Sequence, residues 1–180
     1  RVSGLDMSYS RDAFFQNNIP LFEHAMESIA EHVSPLARVI ELYAGVGTIG
    51  LILAKRAKAV HGIEVIPAAT AAAKGNAQRN RITNYVAECI PAEKMDARLF
   101  DGKDVLILDP PRFGLHPKVL AIIKEKLPPM VIYLSCNPET QARDYSQLSA
   151  FYKIDALTGF DFYPQTPHCE SLLVLSLKDK

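Results

Sequence analysis

An apolar run, Val39-Ile40-Glu41-Leu42-Tyr43, passes without a break into Ala44-Gly45-Val46-Gly47-Thr48-Ile49-Gly50, a glycine-rich turn that opens a helix. Few folds accept this junction. A strand that turns through small residues straight into a helix is the first unit of an open α/β sheet, and its glycines let the backbone approach a ligand closely. The rest of the chain repeats the alternation. Strands are predicted over Arg38–Tyr43, Ala59–Val65, Tyr85–Ile90, Asp104–Asp109, Met130–Ser135, Tyr152–Leu157 and Ser171–Leu177. Helices are predicted over Thr48–Ala57, Pro67–Asn80, Pro117–Lys126 and Glu139–Ser149, the last opened by Asn137-Pro138. An earlier helix is marked by Leu21, Phe22, Ala25, Met26, Ile29 and Val33, which fall on one face at spacings of three and four behind Pro20 at its first turn. This order predicts a mostly parallel sheet covered on both faces. The last two strands are joined only by Thr158–Pro167, too short for a crossover helix, so they should pair antiparallel. The expected fold is α/β, a seven-stranded sheet with one antiparallel strand near an edge.

Composition limits the function classes. A chain of 180 residues, 48% hydrophobic, buries an adequate core without metals or disulfides. No run of eighteen apolar residues occurs and Arg1–Asn18 has no apolar signal-peptide core, so a cytoplasmic, non-membrane protein is expected. The three cysteines, Cys89, Cys136 and Cys169, are odd in number and widely spaced, which argues against a disulfide framework and against a metal or iron–sulfur site. Lys plus Arg equals Asp plus Glu at 20 each, so no basic tail announces a polyanion; Lys55, Arg56, Lys58, Arg79 and Arg81 offer at most a local basic face.

The carboxyl edge of such a sheet is where ligands bind. Gly45, Gly47 and Gly50 match a dinucleotide-type fingerprint, and Glu64 ends the second strand about 20 residues on, where a carboxylate accepts from ribose hydroxyls. NAD and S-adenosylmethionine both fit that pattern. Glu41, four positions before the first glycine, places an acid where a cationic amino acid or sulfonium suits it better than a pyrophosphate. Asp109 ends the fourth strand in Asp109-Pro110-Pro111-Arg112, and Cys136 ends the fifth in Ser135-Cys136-Asn137-Pro138, so both should face the same crevice. A cysteine just before a helix start lies near amide N–H groups that favour its thiolate, which makes Cys136 a candidate nucleophile. Cys89, inside a strand-like run, is expected in the core. His168 and Glu170 introduce the strongly apolar last strand, Glu170 as a candidate general base and His168 as a group that orients it. Cys169 between them is given no role.

Taken in order, these motifs are similar to the catalytic domain of the RNA uracil-5-methyltransferases, which make 5-methyluridine in tRNA and ribosomal RNA. The similarity covers nearly the whole chain. Phe14-Phe15-Gln16-Asn17-Asn18 resembles the family's Phe-x-Gln-x-Asn segment, whose glutamine contacts the cofactor; Tyr43 stands at the aromatic position beside it, in front of Gly45 and Gly47. Thr48 stands where some members have Asn, and Glu64 at the ribose-binding acid. Asp109 falls at the acid between cofactor and target base, Cys136 at the nucleophile, and His168-Cys169-Glu170 at the His-x-Glu motif whose glutamate removes the proton. The resemblance implies a Rossmann-like class I methyltransferase fold, S-adenosyl-L-methionine as cofactor, an RNA partner and no metal. It implies C5 methylation of a uridine in tRNA or rRNA through a Cys136–C6 adduct, with the target base flipped out. Tyr9, Phe14, Phe15 and Phe113 are the aromatics available to stack on that base or a neighbour, with a place in the core as the alternative for each. Residues 1–180 then form the catalytic domain of a monomer, without the family's N-terminal RNA-binding barrel and central domain, and the abrupt start at Arg1 reads as a cut from a longer chain.

Three other readings stay open at this stage. RNA cytosine-5 methylation shares the thiolate addition but not the His168-x-Glu170 motif. An NAD-dependent oxidoreductase accounts for Gly45-x-Gly47-x-x-Gly50 but leaves Ser135–Pro138 and Glu170 without a role. A non-catalytic RNA-binding module would keep only the fold.

Overall fold

The computed structural model describes residues 1–9, 18–166 and 169–179. The chain forms α1 (Ile19–His32), β1 (Arg38–Leu42), α2 (Thr48–Ala54), β2 (Ala59–Glu64), α3 (Pro67–Arg79), β3 (Tyr85–Cys89), β4 (Val105–Leu108), α4 (Pro117–Lys126), β5 (Met130–Ser135), α5 (Pro138–Leu148), β6 (Tyr152–Phe160) and β7 (Glu170–Leu177). Two short 3₁₀ turns, Ala92–Lys94 and Ala97–Phe100, fill the link between β3 and β4. The strand order is β3-β2-β1-β4-β5-β7-β6. All pairs from β3 to β5 are parallel, and β7 runs antiparallel to both β5 and β6. The expected seven-stranded sheet with one antiparallel strand is therefore observed. No described helix is long and apolar enough to cross a membrane.

Alternation along the central strands builds two core layers. Val39, Val60, Val105, Ile107, Ile132, Leu134 and Val174 face α1, α2 and α3, whereas Ile40, Leu42, Leu106, Leu108, Val131, Tyr133 and Leu173 face α4, α5 and the 3₁₀ turns. Helix α1 starts where Asn18 accepts from the Leu21 amide at 3.4 Å, with Pro20 in the first turn, where a missing N–H costs nothing. Its buried stripe of Phe22, Ala25, Met26 and Ile29 is the one expected from spacing, and each large side chain removed from water contributes about 1.5–3 kcal/mol.

The sheet order fixes where a ligand can go. From β1 the chain moves one way to β2 and β3, then returns to β4 and β5 on the other side. Loops leaving the carboxyl ends of β1 and β4 therefore diverge, and a crevice opens between them. Because β7 is antiparallel, its first residue also lies at this edge. Lys55, Arg56, Lys58, Arg79 and Arg81 instead follow the ends of α2 and α3 and precede β2 and β3, at the opposite edge of the sheet.

Candidate active site

A cavity of about 820 Å³ occupies the crevice. Its lining includes Tyr43, Gly45, Thr48 and Glu64 at one end, and Asp109, Cys136 and Glu170 at the other. Most of the described residues expected from the sequence thus converge, Glu41 among them. Gly47 does not line the cavity. It shapes the turn instead, with φ of 82° as the residue before α2, and a Cβ there would lie 2.8 Å from the Tyr85 hydroxyl. Gln16, Phe14, Phe15 and His168 lie outside the described residues.

At the glycine turn, Tyr43 holds φ of 63°, a left-handed conformation rare for a bulky residue and costly unless its surroundings impose it. Gly45 follows with nothing within 4 Å of a built Cβ, so its backbone faces open space. The Glu64 carboxylate braces this turn: Oε2 accepts from the Gly45 amide at 2.7 Å and Oε1 from the Ile66 amide at 2.8 Å. A carboxylate has about four acceptor positions, so a ribose diol can still be accommodated. Glu41 is only 1% exposed; one oxygen accepts from the Gly50 amide at 3.2 Å and the other, Oε2, is buried with no partner among the described residues. Burial, with Asp109 and Glu64 adding repulsion, pushes its carboxyl up to about 8. A carboxyl buried in this way holds its proton more tightly than an exposed one, and a neighbouring cation would favour its ionised form.

At the other end, Asp109 follows β4 directly. It lines the cavity, and burial followed by the charge of Glu170 pushes its carboxyl up to about 7. Cys136 and Glu170 meet through strand register. Ser135 pairs with Ser171 as the last rung between β5 and β7, so the next residues outward, Cys136 and Glu170, stand opposite one another at the cavity. Glu170 is 5% exposed. The helix start after Cys136 is present, since Asn137 caps α5 by accepting from the Glu139 amide at 3.1 Å. The expected activation of the thiol is not. Burial, then Glu170 and Asp109, push the Cys136 thiol up, outweighing Arg112 and the local backbone. Cys89 is also corrected: it ends the edge strand β3, is exposed, and its thiol reaches the Val65 carbonyl at 3.7 Å. Tyr9 is exposed and does not line the cavity.

Sequence reasoning missed the supports. Gln141, on the buried face of α5, donates to the Tyr133 carbonyl at 2.8 Å and the Ser171 carbonyl at 3.0 Å, joining the two strands that carry Cys136 and Glu170. Asp144, fully buried one turn later, accepts from the Leu115 amide at 2.8 Å, the Tyr133 hydroxyl at 3.0 Å and the Arg143 guanidinium at 2.8 Å. It ties the loop after Asp109 to the helix after Cys136. The available signal was that Gln141 and Asp144 fall at helical spacing on the same face as the apolar Leu148. On α3, Asn76 grips the Ser8 backbone through both its amide atoms and also donates to the Val46 carbonyl at 3.2 Å, linking the N-terminal segment to the glycine turn.

Known proteins place this geometry. A family model described as tRNA (Uracil-5-)-methyltransferase matches residues 1–178. The chain belongs to that family. An uncharacterized RNA methyltransferase from Lactiplantibacillus plantarum is 40% identical over 96% of this chain and 37% of its own length. A tRNA (uracil(54)-C(5))-methyltransferase from Pyrococcus horikoshii is 37% identical over 88% of this chain and 37% of its own. The crystal structure of the Pyrococcus abyssi tRNA (uracil-54, C5)-methyltransferase in complex with S-adenosyl-L-homocysteine superposes with a TM-score of 0.87 at 33% identity, over 97% of this family member and 43% of that chain. The fold is thus that of the class I methyltransferases. This member spans about two fifths of the length of the curated relatives it matches, 37% and 40% for the two first.

Proposed function

We propose that residues 1–180 form the catalytic domain of an RNA methyltransferase that uses S-adenosyl-L-methionine to methylate C5 of a uridine through a covalent Cys136 adduct. The observation that carries the reading is the Cys136–Glu170 pair, facing across the end of β5 and β7 in one cavity with the glycine turn. The cofactor end fits its ligand. The unpartnered Glu41 Oε2 suits an ammonium group, Glu64 suits the ribose, and the open backbone at Gly45 leaves room for the body of the molecule. When bound, S-adenosyl-L-methionine supplies an electrophilic methyl group on a sulfonium.

C5 of uracil is too weak a nucleophile to take that group unaided. Loss of the Cys136 thiol proton, to Asp109 or to solvent, gives the thiolate, whose addition at C6 forms an S–C6 bond and moves the C5–C6 electron pair to C5 and the C4 oxygen. Asp109, present in both protonation states near neutrality, can accept from N3–H or donate to the carbonyl oxygen as charge grows there. After C5 has taken the methyl group, Glu170 removes its proton, the S–C6 bond breaks and the C5–C6 double bond returns. The target base must be unpaired or flipped out to reach Cys136. The family's name and the two Pyrococcus relatives favour tRNA over ribosomal RNA as the substrate.

Incubation of the full-length protein with RNA and the methyl donor, followed by nucleoside mass spectrometry, tests the reading. We expect 5-methyluridine, and calorimetric binding of S-adenosyl-L-homocysteine to this chain. 5-Methylcytidine as the product, or tight binding of NAD without binding of the homocysteine product, would overturn it.

A further inference from the structure

Phe113 is 67% exposed at the cavity rim, beside Arg112 and on the same short loop as Asp109. A single exposed apolar side chain is ordinary on a protein surface. This one is unusual in how firmly its backbone is held. Gly114 donates to the Pro111 carbonyl at 2.8 Å. The Arg112 carbonyl accepts from Asn137 Nδ2 at 3.0 Å and Thr140 Oγ1 at 3.2 Å, and the Phe113 carbonyl accepts from Arg143 Nη2 at 2.8 Å. Leu115 then donates to the buried Asp144 carboxylate at 2.8 Å. Gly114 makes the turn possible, since it holds φ of 81° and a Cβ would lie 2.6 Å from Asp144 Oδ2. The loop is thus knitted to the helix that follows Cys136, and it displays an aromatic ring to solvent from a fixed position.

We infer that Phe113 is a stacking platform for the nucleobase next to the target uridine. The inference rests on the proposed uridine methylation. A base that enters the cavity to reach Cys136 leaves its neighbour without a stacking partner on one side. Phe113 lines the cavity and is exposed at its rim, and every nucleobase offers a face to an aromatic ring. Arg112, the preceding residue, is exposed at the cavity and carries a positive charge that suits an adjoining phosphate. Among the described residues the other exposed large aromatic rings, Tyr9 and Phe151, do not line the cavity.

These 180 residues contain no tryptophan, so the difference in emission between the Phe113→Trp and unsubstituted full-length proteins isolates an indole at this position. Stacking against a base quenches its fluorescence. We expect quenching on titration with a single-stranded RNA containing the target uridine, and its loss when one flanking nucleotide, and not more distant ones, is made abasic. In steady-state assays Phe113→Ala should raise KM for RNA about 5- to 100-fold with little change in kcat, since the stack is the same in ground and transition states, and Phe113→Tyr should restore it. Quenching that survives every abasic substitution, a blue-shifted probe already buried in the free protein, or an unchanged KM in Phe113→Ala overturns the inference. Absence of 5-methyluridine from the wild-type reaction would instead strike the methylation reading, whereas the fluorescence titration reads stacking on the flanking base without requiring turnover.

Discussion

Cys136 sits where its own chemistry is opposed. Burial, Glu170 and Asp109 raise its thiol above the ordinary range, so at neutral pH it rests protonated. Alkylation follows the thiolate, and its rate should therefore rise with pH to a midpoint above the usual thiol value. Glu170→Gln removes a negative charge beside the sulfur and should shift that midpoint down. Mass spectrometry of iodoacetamide-treated protein, read peptide by peptide, checks both, and a midpoint that Glu170→Gln leaves in place contradicts the electrostatic account. At this scale much of the site was legible. Cys136, Asp109 and Glu64 each end an apolar run, and residues at strand ends in a parallel sheet share one edge by construction. The state of the thiol was not legible. The helix start at Asn137 is local in sequence, whereas the opposing carboxylates arrive from β4 and β7, and only the assembled sheet brings them together.

The elements were readable from their periods, and what escaped was how they are joined. A short link between β6 and β7 predicts their antiparallel pairing, but says nothing of which of them inserts beside β5. It is β7 that does so, which brings Glu170 opposite Cys136. The β6 strand also runs on to Phe160, paired with Glu170, where the sequence placed a loop after Leu157. Asp144 was hidden for a related reason: an acidic residue inside a helix reads as surface unless the loop it will hold is known. The loop 110–115 supplies a test of that anchoring. Gly114→Ala places a Cβ against Asp144 Oδ2 and Arg143 Nη2 at a φ of 81°, and should cost about 1–3 kcal/mol. For a chain of this size that lowers Tm by roughly 2–4 °C per kcal/mol. Gly75→Ala, inside α3 with open space around the new Cβ, should be neutral or stabilising by about 1 kcal/mol. Equal effects at the two glycines in calorimetric melts would contradict the anchoring.

In the whole molecule, the reversal of strand order between β1 and β4 decides where the crevice opens, and the antiparallel β7 brings Glu170 to it. The basic and acidic side chains of these 180 residues balance at 20 each, and Lys55, Arg56, Lys58, Arg79 and Arg81 lie at the edge away from the cavity, so these five form no basic face beside it. The catalytic assay accordingly uses the full-length protein. The central claim is that Cys136 bonds to C6 before methyl transfer and that Glu170 acts after it. Denaturing electrophoresis of full-length protein with RNA and a radiolabelled methyl donor separates these steps. Cys136→Ala should form no shifted protein–RNA band, and Glu170→Gln should accumulate a shifted band that carries the label, with Cys89→Ser and Cys169→Ser behaving as wild type. A shifted band in Cys136→Ala, or turnover at the wild-type rate in Glu170→Gln, would contradict the account.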